Sequence, residues 1–342
     1  MTTEQIISNL KVTVLMSVYN GEKYLKEAVD SILSQTFTDF EFLIIDDAST
    51  DKTPEILHSY GDQRIRIVTN EENLGLTKSL NKGLALARGE YIARMDADDI
   101  SLPERLEVQV KFMESNPEVC VCGSWIEIIG HNAGDIWKYP TDSNDIQCKH
   151  LFECSIAHPS AIFKKDILDQ NHFRYDPAFK RSQDYELWVR ISTLYPLANI
   201  GKVLLKHRIH PSAIGQHYSS DQKKCADQVR YRQLREFLRL TPTENELMLH
   251  SSISVGEFET RKDYLNDVNR WLLKIWAANN EVEYFDKLAL SAELAKRWYA
   301  ACNKTTNLGL ETWGQFRASP LFGMNILSKK QIYSVLLKCL LK

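Results

Sequence analysis

"KVTVLMSVYNGEKYLKEAVDSILSQTFTDFEFLIID" (Lys11–Asp46) decides the fold. Lys11–Tyr19 is a β-branched, almost wholly apolar run of strand length, and Phe40–Asp46 is a second one. Between them Leu25, Ala28, Val29 and Ile32 recur at helical spacing. Apolar runs with no alternation belong to strands buried on both faces, which a parallel sheet covered by helices provides. The same alternation continues. "TPEILHSY" opens a helix with Thr53 as cap and Pro54 in its first turn, and "RIRIVTN" is a third strand. "LTKSLNKGLALARG" is a helix ending at Gly89, and "YIARMD" is a fourth strand. "SLPERLEVQVKFME" starts a further helix with Ser101 and Glu104 in capping-box register. This β-α-β-α order predicts an α/β fold with a mainly parallel, doubly wound sheet.

That sheet locates the acids. Asp46 and Asp47 end the second strand, and Asp96, Asp98 and Asp99 end the fourth. Parallel strands bring both groups to one edge of the sheet, the edge where ligands bind in such folds. Three carboxylates in four positions repel one another and call for a cation, a donor-rich ligand or water. A twelve-residue calcium loop is excluded: Ile100 stands at a ligand position, Ser101 replaces the turn glycine and Pro103 starts a helix too early. A solvated acidic loop capping the next helix remains the plain alternative.

Farther along, "VCVCGSWIEII" predicts a strand and "SQDYELWVRISTLY" a helix. From Ser219 onward the periodicity is helical, with a start signal at Thr241, Pro242 and Glu244. The chain has 342 residues, 44% of them apolar, and a net charge of −3, enough for about two domains. No basic excess points to a nucleic-acid binder. Seven scattered cysteines offer neither a disulfide framework nor a zinc spacing. With no signal-peptide pattern in "MTTEQIISNLKVTVLMSVYN" and no bilayer-length apolar run, the reading expects a cytoplasmic protein.

"VTVLMSVYNGEKYLKEAVDSILSQTFTDFEFLIIDDASTDKT" followed by "NEENLGLTKSLNKGLALARGEYIARMDADD" closely resembles the family-2 glycosyltransferases, over roughly Val12–His217. The resemblance implies a GT-A fold, a Rossmann-like sheet flanked by helices, and an inverting, metal-dependent transfer from a nucleotide sugar. The expected catalytic domain is residues 1–218, with a nucleotide-sugar half at about 11–117 and an acceptor half at about 118–218. A C-terminal helical region would occupy 219–342. By the resemblance, Ser17 and Tyr19 line the nucleobase pocket, and Asp47 accepts the imide N–H of uracil while Asp46 is structural. Lys78 and Asn81 face the donor, Asp96 contacts the ribose, and Asp98 binds a divalent cation, Mn²⁺ or Mg²⁺, across the phosphates.

An inverting transfer needs a general base. In "KRSQDYELWVR", Asp184 matches the family's base, with Gln183 in place of the usual neighbouring acid, and Glu186 is the alternative base. A helix cap is the structural reading of Asp184. His158 matches an acceptor-side position, and His210 matches a segment that reaches the metal or pyrophosphate. Trp125 and Trp188 are expected as core or cleft wall. The processive synthases' Q-x-x-R-W is absent, since "DVNRW" (Asp267–Trp271) lacks the Gln and lies too far along, so a single addition is expected.

The tail "SPLFGMNILSKKQIYSVLLKCLLK" places Ile332, Val335, Leu336, Cys339 and Leu340 on one helical face. Either that face rests on an anionic membrane, making the protein peripheral, or it docks on the preceding helices. The implied activity is transfer from a UDP-sugar to a glycan or lipid-linked acceptor in bacterial surface-polysaccharide assembly. A sugar-phosphate nucleotidyltransferase and a non-catalytic glycan- or nucleotide-binding module are the alternatives.

Overall fold

The computed structural model describes residues 10–210, 219–261, 263–324 and 326–341. The first half follows the sequence pattern: β1 (Val12–Val18), α1 (Leu25–Leu33), β2 (Phe40–Asp46), α2 (Thr53–His58), β3 (Ile65–Thr69), α3 (Leu76–Leu86) and β4 (Tyr91–Met95). The four strands are parallel in the order β3-β2-β1-β4. Every residue of β2 and β4 is buried, which is why neither sequence alternates. Leu25, Ala28, Val29 and Ile32 of α1 are all buried, as their spacing requires.

The second half adds β5 (Ile100–Ser101), α4 (Arg105–Ser115), β6 (Val121–Gly130), β7 (Ile136–Trp137), α5 (Ser143–His150), a 3₁₀ turn at His158–Ser160, β8 (Ile162–Lys164), α6 (Lys165–Gln170), α7 (Gln183–Ser192) and β9 (Leu197–Ile209). The sheet continues past β4 as β8-β6-β9-β5, with β7 on β6. Here β8 runs antiparallel to both neighbours, and β6 and β9 are parallel. Helices α8 (Ser219–Glu236), α9 (Glu244–Val255), α10 (Tyr264–Val282), α11 (Lys287–Lys304), α12 (Leu310–Ala318), α13 (Pro320–Gly323) and α14 (Lys329–Leu340) follow.

Two expected helix starts move. Ser101 does not cap α4: it lies in β5, pairs with Leu205, and its N–H donates to Ser31 Oγ at 3.1 Å. The strand takes the backbone that a capping box would need. The capping box of α9 is Thr243 with Glu246, two residues beyond the expected start.

The chain forms two compact units. One runs through Ser143 and resumes over Ser155–Cys225, and the other holds Asn144–Cys154 and everything from Ala226. A division at 218/219 differs from this on two counts. The split falls inside α8, and α5 leaves the acceptor half for the helical unit. Cys148, Leu151 and Phe152 share a core with Leu234, Trp271 and Trp298. Their carbonyl neighbours are taken up as well: Gln233 Nε2 donates to His150 O at 2.8 Å and Arg230 Nε to Phe152 O at 2.6 Å. In the same core Val335 and Cys339 of α14 are buried. Of the tail face read from the sequence, Val335 and Cys339 are therefore packed, Ile332 and Leu336 are half-buried, and Leu340 is exposed.

Candidate active site

The site is built where the strands end. The loop after β1 is fastened to the loop after β2: Asn20 N donates to Ser49 Oγ (3.0 Å), Gly21 N to Thr53 Oγ1 (2.8 Å) and Glu22 N to Asp51 Oδ2 (3.0 Å). Ser17 is half-buried and Tyr19 exposed at the head of these loops, so an aromatic face is open there. Asp46 is buried and takes Ser49 N at 3.1 Å.

Asp47 is more heavily engaged. Its Oδ1 accepts Asn70 Nδ2 (2.7 Å), Leu74 N (2.9 Å) and Ser79 Oγ (2.9 Å), and its Oδ2 accepts Gly75 N (2.8 Å). Gly75 has φ +81°, a conformation that L side chains rarely adopt, and so can present its N–H at the head of α3. Asp47 is 2% exposed. It anchors the 70–75 loop, the structural part that the sequence reading gave to Asp46, and only Oδ2 has capacity left for a ligand donor.

Asn81 is engaged within the protein. Its Nδ2 donates to Tyr175 O (2.8 Å) and its Oδ1 accepts Tyr175 N (2.9 Å), so both ends of the amide tie α3 to the chain before α7. Lys78 on the same helix is exposed.

The acids after β4 converge. Asp96, Asp98 and Asp99 each place an oxygen within 4.8 Å of the others, the one such group among the described residues. Each has a different partner. Asp96 is ion-paired with Arg94 Nη1, on a guanidinium that is itself buried. Asp99, fully buried, meets His207 Nδ1 at 3.1 Å and accepts Arg208 N at 2.8 Å. Asp98 meets His210 Nε2 at 2.9 Å, and its carbonyl accepts Arg208 Nε at 2.8 Å. The end of β9 thus clamps the acid loop. Burial opposes charge on His207, yet Asp99 holds the imidazole up at about 9. Burial, then the charges of Asp96 and Asp99, push Asp98 up to about 6. Asp96 and Asp99 are matched by Arg94 and His207, so the uncompensated charge rests on Asp98, with an imidazole beside it. That donor set fits a divalent cation with oxygen and nitrogen ligands. Pro211 and the rest of the segment after His210 lie outside the described residues.

Asp184 stands in the first turn of α7, half-buried, after Ser182 in a left-handed conformation (φ 54°). Burial pushes its carboxyl up, while the Tyr185 backbone N–H and the charge of Arg94 pull it down. Arg94 therefore acts on both Asp96 and Asp184. The His158 ring is buried against Tyr175 and Trp188, with Nε2 2.8 Å from Tyr175 Oη. Burial and the Arg94 charge hold it well below the usual imidazole range, which favours a neutral ring. Glu186 is held in an ion pair. It is 1% exposed and gripped by Arg190 through Nε and Nη2, both at 2.7 Å. Trp188 is core, and Trp125 is half-buried with its N–H on Tyr139 O at 3.0 Å.

Sequence reasoning missed Arg94, His207 and Arg208. A lone arginine in an apolar strand, "YIARMD", was the available sign of the first. Nothing local marks the other two, which reach the acids across more than a hundred residues.

Residues 13–173 match the model of glycosyl transferase family 2. The chain is 35% identical over 244 residues to the O-antigen biosynthesis glycosyltransferase WbnJ of Escherichia coli, covering 69% of this chain and 92% of that protein. TarS residues 1–349 of S. aureus, solved with UDP-GlcNAc, superpose with a TM-score of 0.58 at 17% identity, over 92% of this chain and 90% of that one. The mannosyltransferase PcManGT of Pyrobaculum calidifontis, solved with GDP-Man and Mn²⁺, gives 0.51 at 18% identity, over 96% and 87%. With these similarities, and with a parallel first half that carries an acid cluster at its carboxyl edge, the chain has the GT-A fold and belongs to glycosyltransferase family 2.

Proposed function

We propose that the protein moves a hexose or N-acetylhexosamine from a UDP-sugar, with inversion, to a glycan or lipid-linked acceptor in bacterial surface-polysaccharide assembly. The observation that carries this reading is the pairing of an acid cluster around Asp98 with a separate acid, Asp184, both under the charge of the buried Arg94. Tyr19 offers a face for the base to stack on, Ser17 a hydroxyl beside it, and Asp47 a remaining acceptor for the imide N–H. Asp96, held by Arg94, would accept from ribose hydroxyls. Asp98 and His210 would hold Mn²⁺ or Mg²⁺, and Lys78 is a candidate for an outer contact to the donor. The ion, when bound, neutralises charge on the departing nucleoside diphosphate.

Asp184 takes the proton from the acceptor hydroxyl as its oxygen attacks the anomeric carbon and the bond to the diphosphate breaks. One displacement inverts that carbon. The WbnJ similarity supports the polysaccharide setting, and UDP-GlcNAc in TarS supports the donor class.

A nucleotidyltransferase needs free backbone N–H groups in the loop after β1 to cradle phosphates. The amides of Asn20, Gly21 and Glu22 are already bonded to Ser49, Thr53 and Asp51. That alternative is set aside. A non-catalytic module would not need the half-buried acid at 184 beside the acid cluster.

Screening UDP-, GDP- and dTDP-sugars for hydrolysis with Mn²⁺ and with chelator tests the donor and metal together. UDP-sugar turnover that stops with chelator supports the reading, and a preference for GDP- or dTDP-sugars overturns the donor. A product that keeps the donor's anomeric configuration excludes single displacement.

A further inference from the structure

The last helix has two apolar sides, and only one is used by the fold. Val335 and Cys339 of α14 point into the core of the helical unit. On the other side Tyr333, Leu337 and Leu340 stand 59%, 57% and 58% exposed, and Leu341 follows them, also exposed. The spacing i, i+4, i+7, i+8 aligns these four as one stripe. Lys329, Lys330 and Lys338, all exposed, flank it. From Thr312 to Lys342 the sequence holds five basic residues and no acid, in a chain whose net charge is −3. The helix is anchored where it stands by a capping box between Ser328 and Gln331 and by its buried side.

We propose that this outer stripe of α14 lies on an anionic lipid surface, with Tyr333, Leu337, Leu340 and Leu341 in the interface and the three lysines at the headgroups. A bare apolar row flanked by cations on a folded surface is the pattern of an interfacial helix. At 12 residues α14 is too short to cross a bilayer, and no helix among the described residues is long and apolar enough to do so. Charge selects the occupant. A second copy meeting this patch across a two-fold axis would set lysines against lysines, whereas anionic headgroups neutralise them. The contact is independent of the donor assignment, because it can be measured without nucleotide sugar.

The test uses the full chain and vesicles of phosphatidylcholine with about one-third phosphatidylglycerol, read by flotation. The protein should float with these vesicles, release at high salt, and ignore pure phosphatidylcholine. Leu337→Glu with Leu340→Glu should abolish flotation at an unchanged melting temperature, since both side chains are exposed. Lys329→Gln, Lys330→Gln and Lys338→Gln together should weaken binding about a hundredfold, at about fivefold for each lysine. Failure of the unaltered chain to bind the anionic vesicles overturns the proposal. So does equal binding by the leucine variant. A dimer broken by that variant, in a chain that binds no vesicle, would assign the stripe to a second copy instead.

Discussion

Asp47→Ala separates an anchor from a ligand contact. The substitution removes an acceptor of four hydrogen bonds, from Asn70, Leu74, Gly75 and Ser79. The amides of Leu74 and Gly75 are half-buried and can turn to water. Asn70 and Ser79 are buried, and their side chains keep a bond to each other at 2.9 Å. Two buried donors losing a charged acceptor cost about 1–3 kcal/mol each, so the loss is about 2–4 kcal/mol once the surviving bond is discounted. In a unit of this size about 1 kcal/mol lowers the melting temperature by about 2–4 °C. The expected fall is about 5–15 °C, in the protein without nucleotide, by circular dichroism or calorimetry. Asp47→Asn should lie between, because its oxygen can keep the Oδ1 bonds while an amide NH₂ where Oδ2 accepted Gly75 N–H sets donor against donor. If the nucleotide-free variant melts within about 1 °C of the unaltered protein while UDP affinity collapses, Asp47 is a base-recognition residue and the anchoring argument is wrong.

The other expectations follow from the same geometry. Asp98→Ala should remove the Mn²⁺-dependent part of the UDP thermal shift and leave the metal-free protein as stable as before; equal UDP stabilisation with Mn²⁺ and with chelator would refute the metal role. Asp184→Asn should lower transfer about 10²–10⁴-fold with UDP affinity unchanged, and near-normal turnover would remove the base from this helix. Glu186→Gln should instead lower stability by breaking the buried pair with Arg190 while turnover per folded molecule is kept; the reverse pattern would reinstate Glu186 as a base. Arg94→Met withdraws a positive charge that lowers the Asp184 carboxyl, so the acidic limb of the pH–rate profile should move to higher pH, because the base must be ionised to act. An unmoved limb would show that Arg94 serves Asp96 alone.

What the sequence made legible is what repeats locally. Strands buried on both faces show as unbroken apolar runs, and α1 shows as apolar residues three and four apart, so the first half of the sheet could be read residue by residue. The carboxyl edge of a parallel sheet likewise brings Asp47, Asp96 and Asp98 together from the pattern alone. Partners across long separations were not legible. Nothing near Asp99 signals His207, and the two meet only because β5 pairs with β9. Helix α5 lies inside the stretch assigned to the acceptor half, yet its Cys148, Leu151 and Phe152 complete the core of the other unit, an exchange that no local pattern records.

The residue types were read more reliably than their duties. An Asp, an Asn and a His in a familiar string were all expected to face ligand. The structure turns Asn81 onto Tyr175 and His158 into the wall, and it gives most of Asp47 to a loop. The reason is common to all three. A site that must hold three carboxylates within 4.8 Å needs a rigid, fully bonded surround, or their repulsion would open the loop that carries them. Much of what a motif fixes is therefore the frame around the reacting groups. In this chain the frame is Arg94, His207 and Arg208 on the acids and Asn81 and Asp47 on the loops, around the Asp98 and Asp184 that the proposed reaction uses.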